Sequence, residues 1–316
     1  DMEKKNRMQS TVVVWLGALI CCALWGSAFP CIKIGYQMFE IPQDAVATQI
    51  LFAGLRFTLA GILVILIGSV LSGNLLKMNR QNAPKILKLS LLQTVLQYLF
   101  FYIGLANTTG VKASIIEGVN VFIAIFVASL IFRQEKLTMG KLAGCLIGFA
   151  GVVLVNLNGN GLDMSFHLNG EGFIFLSTVA YAFSSVYLKR YSKTENPVLL
   201  SGWQFVAGGL VLTIMGLLMG GKITKVTATG IAMLFYLACI SAVAYSLWGI
   251  LLKYNPVSRV AVFGFMNPVF GVILSAFLLG EREQASGIKS IIALILVSIG
   301  IYITAKVKEE KVEETK

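Results

Sequence analysis

Two charges stand alone inside apolar sequence. Arg56 lies in Leu55-Arg56-Phe57, and Glu117 follows Ser114-Ile115-Ile116. A charge at the centre of a bilayer costs about 2.5–3.5 kcal/mol on insertion scales, so each requires a physical reason. A guanidinium suits a substrate carboxylate or phosphate; alternatively it clamps backbone carbonyls or a carboxylate of its own chain. Glu117 suits a cation anchor or a proton-coupling carboxylate. Its alternatives are a partner for Arg56 or Lys112, or a group reaching external water.

Helical spacing places Ala113, Glu117, Asn120 and Ala124 on one small, polar face. Asn120 and Asn267 either hydrogen-bond a solute or satisfy carbonyls where helices cross. Tyr98 and Tyr102 share a helical face, as do Tyr245 and Trp248. With Trp25, Tyr181 and Tyr187 they either wall a cavity for an aromatic or methylated-amine ligand or pack as core. Lys33 and Lys112 either snorkel to headgroups or turn inward into a charged funnel with Arg56 and Glu117. The candidate substrate-binding residues are therefore Trp25, Arg56, Tyr98, Tyr102, Glu117, Asn120, Tyr181, Tyr245, Trp248 and Asn267, with Glu117 also the candidate for proton coupling.

Enzyme chemistry has no such constellation. The sequence holds no HExxH and no phosphate-cradling GxxxxGK[ST], and His167 is its one histidine. Cys21, Cys22, Cys31, Cys145 and Cys239 lack CxxC spacing and read as buried, reduced thiols. No metal and no cofactor is expected.

The elements that must position these residues are membrane helices. Hydrophobic residues make up 57% of the 316 and charged ones only 13%, against about 25% charged in soluble domains. Ten apolar runs cover 12–36, 45–72, 84–106, 111–132, 139–157, 170–190, 197–219, 227–252, 257–279 and 286–305, each near the roughly 20 residues that cross a hydrocarbon core. Lipid cannot satisfy an open sheet edge, and period-two alternation is absent, so the fold class is all-α. The basic Lys4, Lys5 and Arg7 before Thr11 imitate a signal peptide, but the run continues to Ile34, too long for a cleaved segment. Gly140, Gly144 and Gly148 form a small-residue stripe that lets another helix approach, within the fold rather than in a dimer.

The net charge of +11 does not indicate nucleic acid, because the basic residues form no stripe and carry no stacking platform. They are an orientation signal. With the N-terminal tail inside, only Lys33, Lys112, Lys222, Lys225, Arg282 and Lys289 fall outside and Arg56 falls within a span; all other Lys and Arg of the 26 are inside. Both termini are expected in the cytoplasm.

The sequence also repeats. At an offset of 148, Gly54, Phe57, Gly61, Gly68 and Gly73 meet Gly202, Phe205, Gly209, Gly216 and Gly221. At 147, Tyr98, Ile103, Leu105, Asn120 and Gly140 meet Tyr245, Ile250, Leu252, Asn267 and Gly287. Five spans per half is an odd number, so the second half enters from the opposite side: two inverted five-helix repeats, 1–157 and 158–305, with a charged tail at 306–316. Inverted repeats are common in secondary transporters.

On Ala23-Leu24-Trp25-Gly26-Ser27-Ala28-Phe29, Leu55-Arg56-Phe57 and Phe265-Met266-Asn267-Pro268-Val269-Phe270, with Leu278-Leu279-Gly280-Glu281, the chain resembles the EamA family of the drug/metabolite transporter superfamily over residues 12–305. It departs at Asn120-Val121, where the family has Asn-Pro, and at Arg133-Gln134-Glu135, where it has Leu-Gly-Glu. The resemblance implies two five-helix bundles, a central cavity and alternating access, with small organic metabolites moved, often outward.

The expectation is a secondary active transporter in a bacterial inner membrane, most simply an exporter of an amino acid or related zwitterion. The alternatives are a proton-coupled exporter of cationic or aromatic amines and, in another class, a passive channel. The expected partners are the small-molecule solute, membrane lipids and protons, with the protein a monomer or homodimer.

Overall fold

The computed structural model describes residues 2–108, 110–157, 165–278, 280 and 287–307. The charged tail beyond Val307, Glu281 and Arg282 lie outside the described residues, as does the chain just past the boundary at 157. After a short N-terminal helix, Met2–Gln9, ten helices are long and apolar enough to cross a membrane. They are α1 (Thr11–Met38), α2 (Val46–Ser72), α3 (Ala83–Leu105), α4 (Lys112–Ile131), α5 (Met139–Asn156), α6 (Leu168–Tyr191), α7 (Pro197–Leu218), α8 (Ala228–Tyr254), α9 (Val257–Leu278) and α10 (Gly287–Lys306). Each lies within two residues of the apolar run that predicts it. No strand occurs among the described residues.

Polar residues set the helix starts. Ser10, Thr138 and Thr227 accept the N–H of Val13, Lys141 and Gly230 at 3.4, 3.3 and 3.1 Å. Asn196 accepts from Val198 at 2.9 Å, with Pro197 at the first helical position. Gly73 ends α2 in the left-handed region at φ 65°.

The described ends of the chain, Met2–Gln9 and Val307, sit at one face, here the terminal face. Gln9 donates to the Tyr254 carbonyl at 2.8 Å, Asn255 to that of Met8 at 3.1 Å, and Arg259 to that of Gln9 at 3.1 Å. A side chain on Gly140 would lie 2.8 Å from Val307. The opposite, distal face carries the start of α6, where Thr108 bonds Glu171. Thus α1 begins at the terminal face and α6 at the distal one.

The halves interleave rather than sit side by side. The most extensive helix contacts pair α2 with α7, α5 with α10, α1 with α8 and α9, and α3 with α6. Glycine makes the first two pairings possible. A Cβ on Gly61 would fall 2.6 Å from the Gly202 carbonyl, and one on Gly216 would fall 2.6 Å from the Leu51 nitrogen. Likewise a Cβ on Gly144 would fall 2.7 Å from the Gly300 carbonyl oxygen, and one on Gly300 would fall 2.5 Å from that of Gly144. The Gly140-Gly144-Gly148 stripe therefore packs largely inside the chain. Large apolar side chains such as Val70, Leu218, Phe277 and Ile288 face outward, as a lipid-facing exterior requires.

Among the irregular spans, α4 and α9 break at matching depth. A turn at Val119 separates the helical segments Gly110–Gly118 and Asn120–Phe126 of α4. In α9 the stretch Val262–Phe265 tightens to a 3₁₀ helix just before Asn267-Pro268. Pro268 has no N–H for the Gly264 carbonyl, which accounts for the second. In α4, which lacks that proline, the Asn120 amide donates to the Glu117 carbonyl at 2.8 Å instead.

Candidate functional site

The interleaving leaves a cavity of about 550 Å³ reaching from the distal loops at Gln43 and Thr108 down to Tyr245 and Asn267. Its wall is assembled from both halves: α1, α2, α3 and α4 on one side, α6, α8 and α9 on the other. Gly26 allows the tightest of these approaches, since a Cβ there would lie 2.5 Å from the Phe270 Cβ. Helix α1 is thereby held close against α9 while the Trp25 ring meets Tyr245 and Trp248 of α8.

Nine of the ten predicted site residues line the cavity: Trp25, Arg56, Tyr98, Tyr102, Glu117, Asn120, Tyr181, Tyr245 and Asn267. Trp248 does not. One turn beyond Tyr245 toward the terminal face, it is 3% exposed, and its ring packs edge-on against Trp25 with centroids 5.0 Å apart. The shared helical face was right, but the cavity ends before that turn. Tyr187 also lies away from it, 4.9 Å from Phe132. On α4, Glu117 and Asn120 line the wall while Ala113 and Ala124 are buried behind it.

Arg56 is 4% exposed. Its guanidinium carbon stands 4.4 Å from the centroid of Phe57 and 5.9 Å from that of Tyr98. Its Nε has no hydrogen-bond partner, and no described carboxylate comes within ion-pair distance of it. A buried cation held only by ring faces retains most of its hydrogen-bonding capacity for something else. Lys112, a sequence-level candidate to pair with Glu117, turns toward the start of α6. It meets the Ser165 carbonyl at 2.8 Å and Glu171 at 3.3 Å. Arg56 and Glu117 thus face one cavity without forming an ion pair with each other.

The floor is aromatic. The Tyr98 and Tyr245 hydroxyls hydrogen-bond at 2.8 Å, Trp25 meets Tyr245 edge-on at 5.1 Å, and Phe57 stacks on Phe205 at 5.3 Å. Around the cavity four more polar atoms lack partners: Trp25 Nε1, the Tyr36 hydroxyl, Gln97 Oε1 and Asn267 Oδ1. Buried atoms of this kind are bonded in most proteins, whether to protein or to water, and here they gather around one cavity.

Sequence reasoning missed Tyr36, Gln49, Gln97, Ser177, Thr178 and Ser241, all on the wall. Only Gln97 carried a signal, as an amide next to Tyr98 within an apolar run. It also missed Glu171, 3% exposed, which accepts from Thr108 at 2.5 Å and from the His167 N–H at 2.7 Å. Lys33, left open between snorkelling and turning inward, lines the cavity near its distal end.

A model of the EamA-like transporter family matches residues 13–157 and again residues 168–306. The chain belongs to the EamA-like transporter family. The double match makes each half one copy of the EamA unit, so the cavity is a joint product of two copies. An uncharacterized transporter of Archaeoglobus fulgidus is 26% identical over 92% of this chain and 98% of its own. The inner membrane transporter YedA of Escherichia coli K12, also uncharacterized, is 27% identical over 89% of each chain. A Salmonella typhimurium relative named a probable amino-acid metabolite efflux pump is 27% identical over 90% of this chain and 92% of its own. A crystal structure 18% identical in sequence superposes with a TM-score of 0.73 over 93% of this chain and 96% of its own, which is likeness of fold alone. The EamA chain is accordingly an integral membrane protein of transporter type.

Proposed function

We propose that this EamA protein is a secondary active exporter of a small zwitterion, an amino acid or close relative, working by alternating access between two opposed repeats. The observation that carries the reading is that Arg56, with no carboxylate partner among the described residues and its Nε unbonded, faces the same cavity as Glu117. The substrate carboxylate meets Arg56, its amine meets Glu117, and its side chain rests among Tyr98, Tyr102, Tyr181 and Tyr245. The relatives named as amino-acid metabolite efflux pumps support the substrate class. The start of α1 at one face and of α6 at the other supports the opposition of the repeats. The excess of Lys and Arg at the terminal face supports a bacterial inner-membrane location with both termini in the cytoplasm, which turns the cavity outward in this conformation.

Proteoliposome counterflow tests this. Preloaded unlabelled amino acid accelerates entry of the labelled one through a carrier and leaves a passive channel unaffected. Glu117→Gln fixes the neutral state of that group. The expected result is counterflow that no longer responds to pH and binds the amine more weakly. Unchanged pH response together with unchanged affinity removes Glu117 from the mechanism.

The aromatic wall supports a second reading, export of aromatic or cationic amines against Glu117. Competition by a quaternary amine, with none by amino acids, selects it.

A further inference from the structure

Outside the cavity, a buried polar cluster lies between α3 and α7. Thr94 donates to Gln204 Oε1 at 2.6 Å, and Gln204 donates to Gln93 Oε1 at 3.0 Å. The three residues are 0 to 1% exposed. Two amides and a hydroxyl are more polar than packing two helices requires.

Their positions in the repeat explain them. Gln204 lies 148 residues after Arg56, the offset that overlays α2 on α7. Gln93 and Thr94 lie 147 residues before Ile240 and Ser241, the offset that overlays α3 on α8. Arg56, Ile240 and Ser241 all line the distal cavity. The polar cluster is thus the repeat image of one stretch of the cavity wall, with that wall closed upon itself.

The neighbouring wall behaves likewise. Gln49, Tyr102 and Thr108 line the cavity, and their images are Pro197, Gly249 and Asn255. These lie in the closed half. A Cβ on Gly249 would stand 3.4 Å from the Pro197 Cβ, and Lys189 bonds the Asn255 carbonyl. Asn255 is 1% exposed. The images of open wall residues are shut against one another in the terminal half.

We propose that Gln93, Thr94 and Gln204 form a second polar station for the transported solute, closed in this structure, which lines the route from the terminal face when the distal cavity shuts. It rests on the reading of the cavity as a carrier's substrate site. The station takes the hydrogen-bonding end of the solute, a carboxylate, hydroxyl or amide. With the distal cavity open the three side chains hydrogen-bond one another, which pairs the cluster's own polar groups while the route is shut.

Site-resolved thiol labelling tests it. Thr94→Cys, Gln204→Cys and Gln93→Cys are made singly in the full chain and reconstituted in vesicles, and each folded variant is treated with a membrane-impermeant maleimide from either side. Peptide mass spectrometry reads each site apart from the five native cysteines. Gln97→Cys reports the open cavity from the distal side, and Ala53→Cys, 0% exposed, reports a position buried throughout. Any of the three that folds reacts from the terminal side only. It does so more slowly than Gln97→Cys by about 10- to 1000-fold, the factor set by a minor conformer at 0.1–10%. Cluster positions as inert as Ala53→Cys while Gln97→Cys reacts, or reactive from the distal side, overturn the second station and leave the cavity reading standing. An inert Gln97→Cys overturns both.

Discussion

Tyr98 and Tyr245 meet hydroxyl to hydroxyl at 2.8 Å, and they are 147 residues apart. That spacing is the offset that overlays the third span on the eighth, so the bond joins two copies of one repeat position. A contact between a residue and its own image maps onto itself when the halves exchange conformations. It is suited to persist while contacts on either side of it open and close.

The bond is expected to hold the floor cooperatively. Tyr98→Phe and Tyr245→Phe each remove one hydroxyl with little change in shape. A double-mutant cycle by thermal unfolding in detergent is predicted to give a coupling of about 0.6 kcal/mol, and at most about 1.7, the range for hydrogen bonds between membrane helices. Strict additivity would show that the hydroxyls do not act on each other.

Gly61 and Gly264 differ sharply in what a side chain would meet. At Gly61 it would lie 2.6 Å from the Gly202 carbonyl, whereas at Gly264 its nearest neighbour is Val121 at 3.6 Å. Gly61→Val is predicted to cost at least about 1–3 kcal/mol by overpacking, because fixed backbone leaves little to yield. Gly264→Ala is predicted to be tolerated. Equal thermal stability of the two variants would contradict the α2–α7 contact.

Glu135 and Lys141 form a buried pair at 3.4 Å near the terminal face, with side chains 1% and 3% exposed. Glu135 also accepts the Ser258 N–H at 3.2 Å, tying the end of α4 to the start of α9. Glu135→Leu removes the carboxylate facing Lys141, which keeps its bond to the Lys136 carbonyl at 2.8 Å, and the acceptor of the Ser258 N–H, and is predicted to cost up to about 3–5 kcal/mol. Glu135→Leu with Lys141→Met is predicted to recover part of that, since no cation is then left behind. A double variant less stable than Glu135→Leu alone would refute the pairing argument.

The spans were legible because lipid leaves the chain few choices: apolar length alone located all ten. The repeat was legible from Gly and Asn positions, and the structure gives those positions physical reasons, backbone contact for Gly61 and Gly216 and helix breaks for Asn120 and Asn267. The wall was only partly legible. Arg56 and Glu117 stood out because charge is rare in lipid, while Ser177, Thr178 and Ser241 resemble ordinary small helix residues. Trp248 misled because helical phase gives the face of a residue and not the depth at which a cavity stops. Glu135 entered only as the matching end of a motif that departs at Arg133-Gln134, since its role depends on Ser258, 123 residues away.

Arg56→Gln offers the sharpest test of the cavity's chemistry, because the chain itself supplies the control. The repeat places Gln204 at the matching position of α7, fully buried, so a glutamine fits this helix geometry. The variant is predicted to fold with thermal stability close to that of the parent, because Arg56 has no described carboxylate partner to strand. Affinity for a carboxylated substrate is predicted to fall by about 10- to 100-fold, since a hydrogen bond to a charged group contributes about 1.5–3 kcal/mol. Affinity for the matching amine without its carboxylate is predicted to change little. Calorimetric titration of both ligands against both proteins separates the cases. An equal loss for the two would make Arg56 a structural clamp on the wall and not an anchor for the carboxylate.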